Sequence, residues 1–286
     1  MAEYNVKVLG FGDNVVDKYE HIKTMYPGGN AVNFAVYSKM FGAKRSAYMG
    51  YFGDDMEAQH VINCLCEEGI ETIKCRQLVG ENGCAKVTVE NNDRVFLGSN
   101  EGGIRGQTSF VLDRFDLEYI KGFDLVHSGN YCFTERQLPK IKAAGIPVSF
   151  DFSDDSADKY YADIAPLVDY AFMSCSGMEE SKIHERLQKL AKYGVKVSVA
   201  TLGSGGSIAF DGERFYTQKA YPVEHMVDTM GAGDSFLTAF LVSYTQKVKD
   251  KSVLQGTVEE CMGKAAAFAS KVCGLAGSWG HGKVYG

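Results

Sequence analysis

The chain has 286 residues, 45% of them apolar and 23% charged, with a formal net charge of -6. That length and composition suffice for a sizeable core and exclude a disordered chain. Lys and Arg are spread along the chain, so no basic stripe marks a nucleic-acid surface, and no apolar run reaches the length of a membrane span.

Strands and helices alternate, which predicts an α/β fold with a mostly parallel sheet sandwiched by helices. Residues 6–12 read as a buried first strand and 30–41 as a helix stopped by Gly42. A second strand is expected over 46–52. The amphipathic segment 56–68 follows, with Val61, Ile62, Leu65 and Cys66 on one side. The character then changes. Residues 73–78 and 85–97 read as short strands, and Val87, Val89, Val95 and Phe96 flank the turn Asn91-Asn92-Asp93. This predicts a small β-sheet lid set outside the main sheet, discontinuous over about 14–27 and 72–103, within one domain spanning 1–286. Alternation resumes with strands at 123–129, 147–152, 170–174 and 195–202. Helices are expected at 134–144 and 179–193, a hairpin at 207–216, and two closing helices at 232–245 and 253–272.

The eight cysteines form no C-x-x-C pair, so they read as free thiols of a reducing compartment. The first residues lack the pattern of a secretory leader, and there is no N-x-S/T sequon. The expected location is the cytoplasm. His184-Glu185 opens like H-E-x-x-H, but Gln188 stands where the second His belongs, so no zinc site follows.

Asp228-Thr229-Met230-Gly231-Ala232-Gly233-Asp234-Ser235-Phe236 carries the strongest chemistry. Small residues at 231–233 let the backbone turn tightly into an apolar helix, whose first amides point outward as an anion site. Asp234 inside that site suits a base that takes a proton from an attacking hydroxyl while the amides of Gly231, Ala232 and Gly233 hold a moving phosphoryl group. Gly28 and Gly29 precede the helix that begins at Asn30, which reads as its cap, and Asn33 adds an amide nearby. Asp13 and Asp17 follow the first strand, where an open α/β sheet binds ligands and carboxylates can take sugar hydroxyls. Thr201, Gly203 and Gly206 leave another buried strand, where a hairpin turn or backbone contact with nucleotide phosphates would use them.

These segments, in this order, resemble the ribokinase-like carbohydrate kinases of the PfkB family. Gly28-Gly29-Asn30-Ala31-Val32-Asn33 is similar to the family's N-terminal signature, and residues 228–236 to its C-terminal one. The resemblance runs from about residue 6 to about 275. It implies a large α/β domain with a β lid, ATP with magnesium, and a monovalent cation such as K⁺. It also implies Asp234 as base, Gly231, Ala232 and Gly233 as anion hole, and Asp17 and Asn33 as sugar ligands beside Gly28 and Gly29. Thr201, Gly203 and Gly206 become nucleotide contacts. A homodimer formed through the lids is expected, with no nucleic-acid or membrane partner.

Two positions depart from the pattern. Met230 stands where the family usually has Thr. The stretch Ser174 to Glu180 lacks the Asn of the family's Asn-x-x-Glu motif, leaving Glu179 and Glu180 as candidates for a water-mediated magnesium contact. Residues 12–17, 92–96 and 151–154 resemble family members that act on fructosamines, which implies phosphorylation of a 6-hydroxyl, with Arg94 pairing a substrate carboxylate. Another sugar (fructose or a keto-sugar acid) and a non-catalytic sugar sensor remain the alternatives.

Overall fold

The structure, a computed structural model, describes residues 4–90, 93–154 and 157–286. In chain order its first part comprises β1 (Tyr4–Gly12), β2 (Val15–Tyr19), β3 (Thr24–Gly28), α1 (Asn30–Met40), β4 (Ala43–Phe52), α2 (Met56–Glu67), β5 (Arg76–Gln77), β6 (Gly83–Glu90) and β7 (Asp93–Ser99). The middle holds α3 (Ile104–Gln107), α4 (Arg114–Ile120), β8 (Leu125–Gly129), α5 (Leu138–Ala143), β9 (Val148–Asp151), α6 (Asp158–Ile164) and β10 (Tyr170–Ser174). The last part is α7 (Glu180–Lys192), β11 (Val197–Thr201), β12 (Ser207–Phe210), β13 (Phe215–Gln218), α8 (Ala232–Lys249), α9 (Thr257–Val272) and β14 (Lys283–Val284).

The larger sheet runs β13-β12-β11-β10-β9-β8-β1-β4-β5. It is parallel from β11 to β5, and β12 pairs antiparallel with both β11 and β13. Successive side chains on β1 serve opposite faces. Leu9 and Phe11 join a core with Val126 and Phe150, while Val6 and Val8 join another with Phe172 and the buried residues of α8 and α9. Helix α1 is apolar nearly all round, from Ala31 through Tyr37, and is buried accordingly between the sheet and α8. Gly10 makes the close approach possible: a Cβ there would lie 2.1 Å from the Ala31 carbonyl oxygen.

The smaller sheet has the order β14-β3-β2-β6-β7. Its β2–β3 and β6–β7 pairs are antiparallel, and β2 lies parallel to β6. Val16 and Met25 from this sheet pack with α1, α2 and Trp279 in a third cluster.

Several expectations change. Residues 73–78 do not join the lid. Only Arg76–Gln77 is strand, and it extends the main sheet beside Tyr51 and Phe52 of β4, with the Leu78 N–H donating to the Phe52 carbonyl at 2.9 Å. β14 adds a lid strand that the sequence did not suggest. The helix expected from 134 begins as a 3-10 turn, and α5 starts at Leu138, where Pro139 fits the first turn. The last helix begins at Thr257 rather than 253, because the Leu254 N–H turns onto the Thr257 hydroxyl at 2.9 Å. The hairpin turn at Asn91 and Asn92 lies outside the described residues.

Candidate active site

Two helix N-termini converge beyond the carboxyl ends of β1, β8 and β9. Asn30 and Asn33 stand in the first turn of α1, and Asp234 in the first turn of α8. Asp234 Oδ1 accepts from Asn30 Nδ2 at 2.9 Å, and its Oδ2 from Asn33 Nδ2 at 2.7 Å. The carboxylate is therefore held at both oxygens by neutral donors. Gly231, the residue capping α8, has φ 73. A Cβ there would fall 2.1 Å from Tyr37 Oη, so both its conformation and its surroundings require glycine. The Ala232 N–H is turned onto the Thr229 carbonyl at 3.2 Å, whereas Gly233 faces open space.

Behind Asp234 runs a buried polar chain. Asn30 Nδ2 also donates to Asp151 Oδ2 at 3.0 Å. With its nitrogen facing two carboxylates, the Asn30 oxygen must be the acceptor toward His127 Nε2, 2.9 Å away. That fixes the proton on Nε2, and Nδ1 accepts from the Ser149 hydroxyl at 3.0 Å. Burial pulls His127 down to about 3, so the ring is neutral. Asn33 is set in the same way: its oxygen accepts from Trp279 Nε1 at 2.9 Å, and its nitrogen also approaches Ser278 Oγ at 3.4 Å.

Burial, the largest effect, pushes the Asp234 carboxyl up to about 6. The Asn33 hydrogen bond opposes that, the Asp13 charge adds to it, and the Asn30 hydrogen bond opposes it. Asp151 is pushed up to about 7, by burial first and then by the charge of Asp234. A base poised near neutrality is what proton abstraction from a hydroxyl needs.

The residues expected at the sugar lie around this pair. Asp13 is committed to the fold: its carboxylate accepts from the backbone N–H of Asn30 at 2.9 Å and of Ala31 at 2.8 Å. The cap of α1 thus comes from a residue distant in sequence. Asn30, expected as that cap, makes no side-chain cap bond and is free to serve Asp234. Asp17, on β2, is 7% exposed and lies over Gly28, where a Cβ would sit 2.8 Å from its Oδ2. Gly29 has φ 108, and a Cβ there would crowd Asn14 and Asp13. The side chain of Arg94 lies outside the described residues.

Thr201 ends β11, and its hydroxyl donates to the Met173 carbonyl at 3.4 Å. Gly203 opens a 3-10 turn at φ 57. Gly206 closes it at φ 94, where a Cβ would meet the Gln218 carbonyl oxygen at 2.1 Å. The loop before α8 is anchored by Asp228, which accepts from the Met230 N–H at 2.9 Å, Tyr19 Oη at 2.5 Å and the Gly277 N–H at 3.2 Å. Glu179 and Glu180 are exposed and face Lys182 at 3.7 Å and His184 at 3.6 Å. Among the described residues, no group of three His, Cys, Asp or Glu side chains could hold a metal ion.

A family model described as pfkB family carbohydrate kinase matches residues 1–279. The chain belongs to the pfkB family of carbohydrate kinases. As a pfkB carbohydrate kinase it is 39% identical over 281 residues to the fructosamine kinase FrlD of Bacillus subtilis (strain 168), covering 98% of this chain and 95% of that one. It is 31% identical to the fructoselysine 6-kinase of Escherichia coli (strain K12), over 94% of this chain and 97% of the relative. The ribokinase of Giardia lamblia superimposes with a TM-score of 0.77 at 20% identity, over 94% of this chain and 92% of that one. Arabidopsis thaliana ribokinase complexed with ribose and ATP gives 0.72 at 22%, over 97% and 95%. These two structures establish the ribokinase-like fold for the pfkB kinase described here.

Asn30, His127, Asp151, Ser278 and Trp279 were not read from the sequence as site residues. Asn30 looks like a cap and His127 like core. Asp151 ends a buried strand, a position that in an open α/β sheet is itself a signal.

Proposed function

We propose that this carbohydrate kinase transfers the γ-phosphoryl group of ATP to the 6-hydroxyl of a fructosamine such as fructoselysine. The observation that carries the substrate is the 39% identity, over nearly the whole chain, to a fructosamine kinase. The grip of Asn30 and Asn33 on Asp234 at the start of α8 supports the chemistry.

In this reading Asp17, with Gly28 and Gly29 beside it and Asn33 next to the base, holds the sugar so that its terminal hydroxyl meets Asp234. The hydroxyl oxygen attacks the γ-phosphorus as its proton passes to Asp234, and the bond to the ADP oxygen breaks. Gly231 and Gly233, at the positive end of the α8 dipole, face the charge on the moving group. Thr201, Gly203 and Gly206 line the nucleotide's side. Magnesium would arrive on the nucleotide, since phosphate oxygens and water are its ordinary ligands, with Glu179 or Glu180 in reach only through water. Bound there, it neutralises phosphate charge.

We also assign the enzyme to the cytoplasm, in keeping with its eight free cysteines and with the lack, among the described residues, of a helix long and apolar enough to cross a membrane. The lid is the expected dimer contact. β7 is an edge strand carrying Phe96 and Leu97, which are 64% and 53% exposed. A monomeric mass by solution scattering would rule the dimer out.

The test of the substrate is ADP release from Mg-ATP with fructoselysine, fructose or a keto-sugar acid at equal concentration. Preferential turnover of fructoselysine, with the phosphate found on the 6-oxygen by NMR, is expected. A preference for either other sugar would overturn the assignment, and ATP turnover that ignores every sugar would return the chain to a sensor.

A further inference from the structure

Arg105 is 5% exposed, and among the described residues no carboxylate pairs with it. Its Nη1 donates to the Tyr131 carbonyl at 2.5 Å, and its Cζ lies 4.8 Å from the centre of the Phe133 ring. Its Nε is buried with no hydrogen-bond partner. A carbonyl and a ring face are neutral, so neither cancels the charge, and a buried guanidinium left unpaired is costly. The buried Nε is thus left as an unused donor on a charged group.

The contacts of Arg105 lie close to Asp13 and the start of α1. Tyr131 and Phe133 flank Cys132 in the turn that follows β8, at the ligand-binding end of the sheet. The Cys132 thiol donates to Asp13 Oδ1 at 3.2 Å, and Asp13 caps the helix that holds Asp234. Burial pushes the Cys132 thiol well up, Asp13 adds to that and Arg105 opposes it, so the field of Arg105 reaches the same floor. Phe133, whose ring lies against the guanidinium, is 42% exposed, and Tyr131, whose hydroxyl donates to Asp154 Oδ1 at 3.3 Å, is 58% exposed. Phe133 is held at φ 52, a left-handed conformation that a bulky aromatic residue rarely adopts.

We propose that Arg105 pairs with the carboxylate of the substrate's amino-acid part, with Tyr131 and Phe133 flanking the chain that links it to the sugar. This rests on the fructosamine reading above, and it gives Arg105 the pairing that the sequence suggested for Arg94. A guanidinium binds a carboxylate through two parallel N–H donors, and the unpartnered Nε supplies one of them. Arg105 would then separate amino-acid conjugates from plain sugars.

The test compares kcat/KM for fructoselysine and for its carboxamide, which keeps the chain and loses the negative charge. Wild type should favour the carboxylate by about 10- to 100-fold, the range of a hydrogen bond to a charged group. In Arg105→Gln that ratio should collapse toward one through KM, and Arg105→Lys should retain part of it. A wild-type ratio near one, or an undiminished ratio in the Gln variant, would overturn the role of Arg105. If Arg105→Gln does not fold, the wild-type ratio and the Lys variant still decide. Wild type that phosphorylates both compounds equally defeats this proposal alone, whereas wild type that phosphorylates neither defeats the fructosamine reading and this proposal with it.

Discussion

Asp151 and Asp234 are joined through one nitrogen: Asn30 Nδ2 lies 3.0 Å from Asp151 Oδ2 and 2.9 Å from Asp234 Oδ1. The charge of Asp234 helps to hold the proton on Asp151. The proposed base, Asp234, is thus embedded in a buried polar network with Asn30 and Asp151.

Asp234→Asn should lower kcat by ~100- to 10,000-fold, the usual cost of a lost general base, with a smaller effect on KM. Steady-state kinetics of the purified variant would check this. Turnover within a few-fold of wild type would show that the proton leaves by another route.

The base must be ionised, so kcat should fall as pH drops through about 6, where burial places Asp234. The limb should be broad, because Asp151, pushed up to about 7 by burial and the charge of Asp234, shares the same network. The Asn33 hydrogen bond lowers the Asp234 value, so Asn33→Ala should move the limb to higher pH. Profiles of kcat between about pH 5 and 8.5 would show it, and a limb that stayed in place or moved to lower pH would contradict the geometry.

Stability should respond in the same window. Both carboxyls hold their protons more tightly folded than unfolded, so the native state binds more protons between about pH 4 and 7. Stability therefore declines as pH rises through that range. Asp151→Asn removes one of these groups and keeps an oxygen for Asn30. The new amide nitrogen then faces the Ser153 N–H, which in wild type donates to Asp151 Oδ1 at 2.9 Å, a cost independent of pH, so the variant's melting temperature relative to wild type should be higher at pH 8 than at pH 5. Equal gaps at both values would mean that the charge is not what matters.

Gly231→Ala should reduce both activity and melting temperature, because the new methyl meets Tyr37 Oη and the φ of 73 disfavours any side chain. Adding Tyr37→Phe removes the hydroxyl and should restore part of the loss, although it forfeits the bond from Tyr37 to the Ser278 carbonyl at 2.6 Å. A double variant as impaired as the single one would place the cost in the backbone alone.

The strand–helix alternation and the glycine-bounded starts of α1 and α8 were legible because they are local: composition and spacing carry them. The partners were not. Asp13 was read as a sugar ligand and Asn30 as a cap, and the structure exchanges the capping role between them, since Asp13 reaches α1 from the end of β1. A two-residue strand such as β5 carries no periodicity to read. His127 sits in an apolar strand like any buried core residue, and only the packing of α1 against β8 gives it Asn30 as a partner.

Trp279 is the chain's one tryptophan, and its indole is hydrogen-bonded to Asn33, one residue away from the Asp234 carboxylate. The protein therefore carries its single indole fluorophore beside the Asn33–Asp234 pair. Any ligand that shifts the Asn33 amide changes the surroundings of that emitter, so occupancy becomes readable by ultraviolet emission, excited on the red side of tyrosine absorption, in unlabelled protein and on the timescale of a stopped-flow trace.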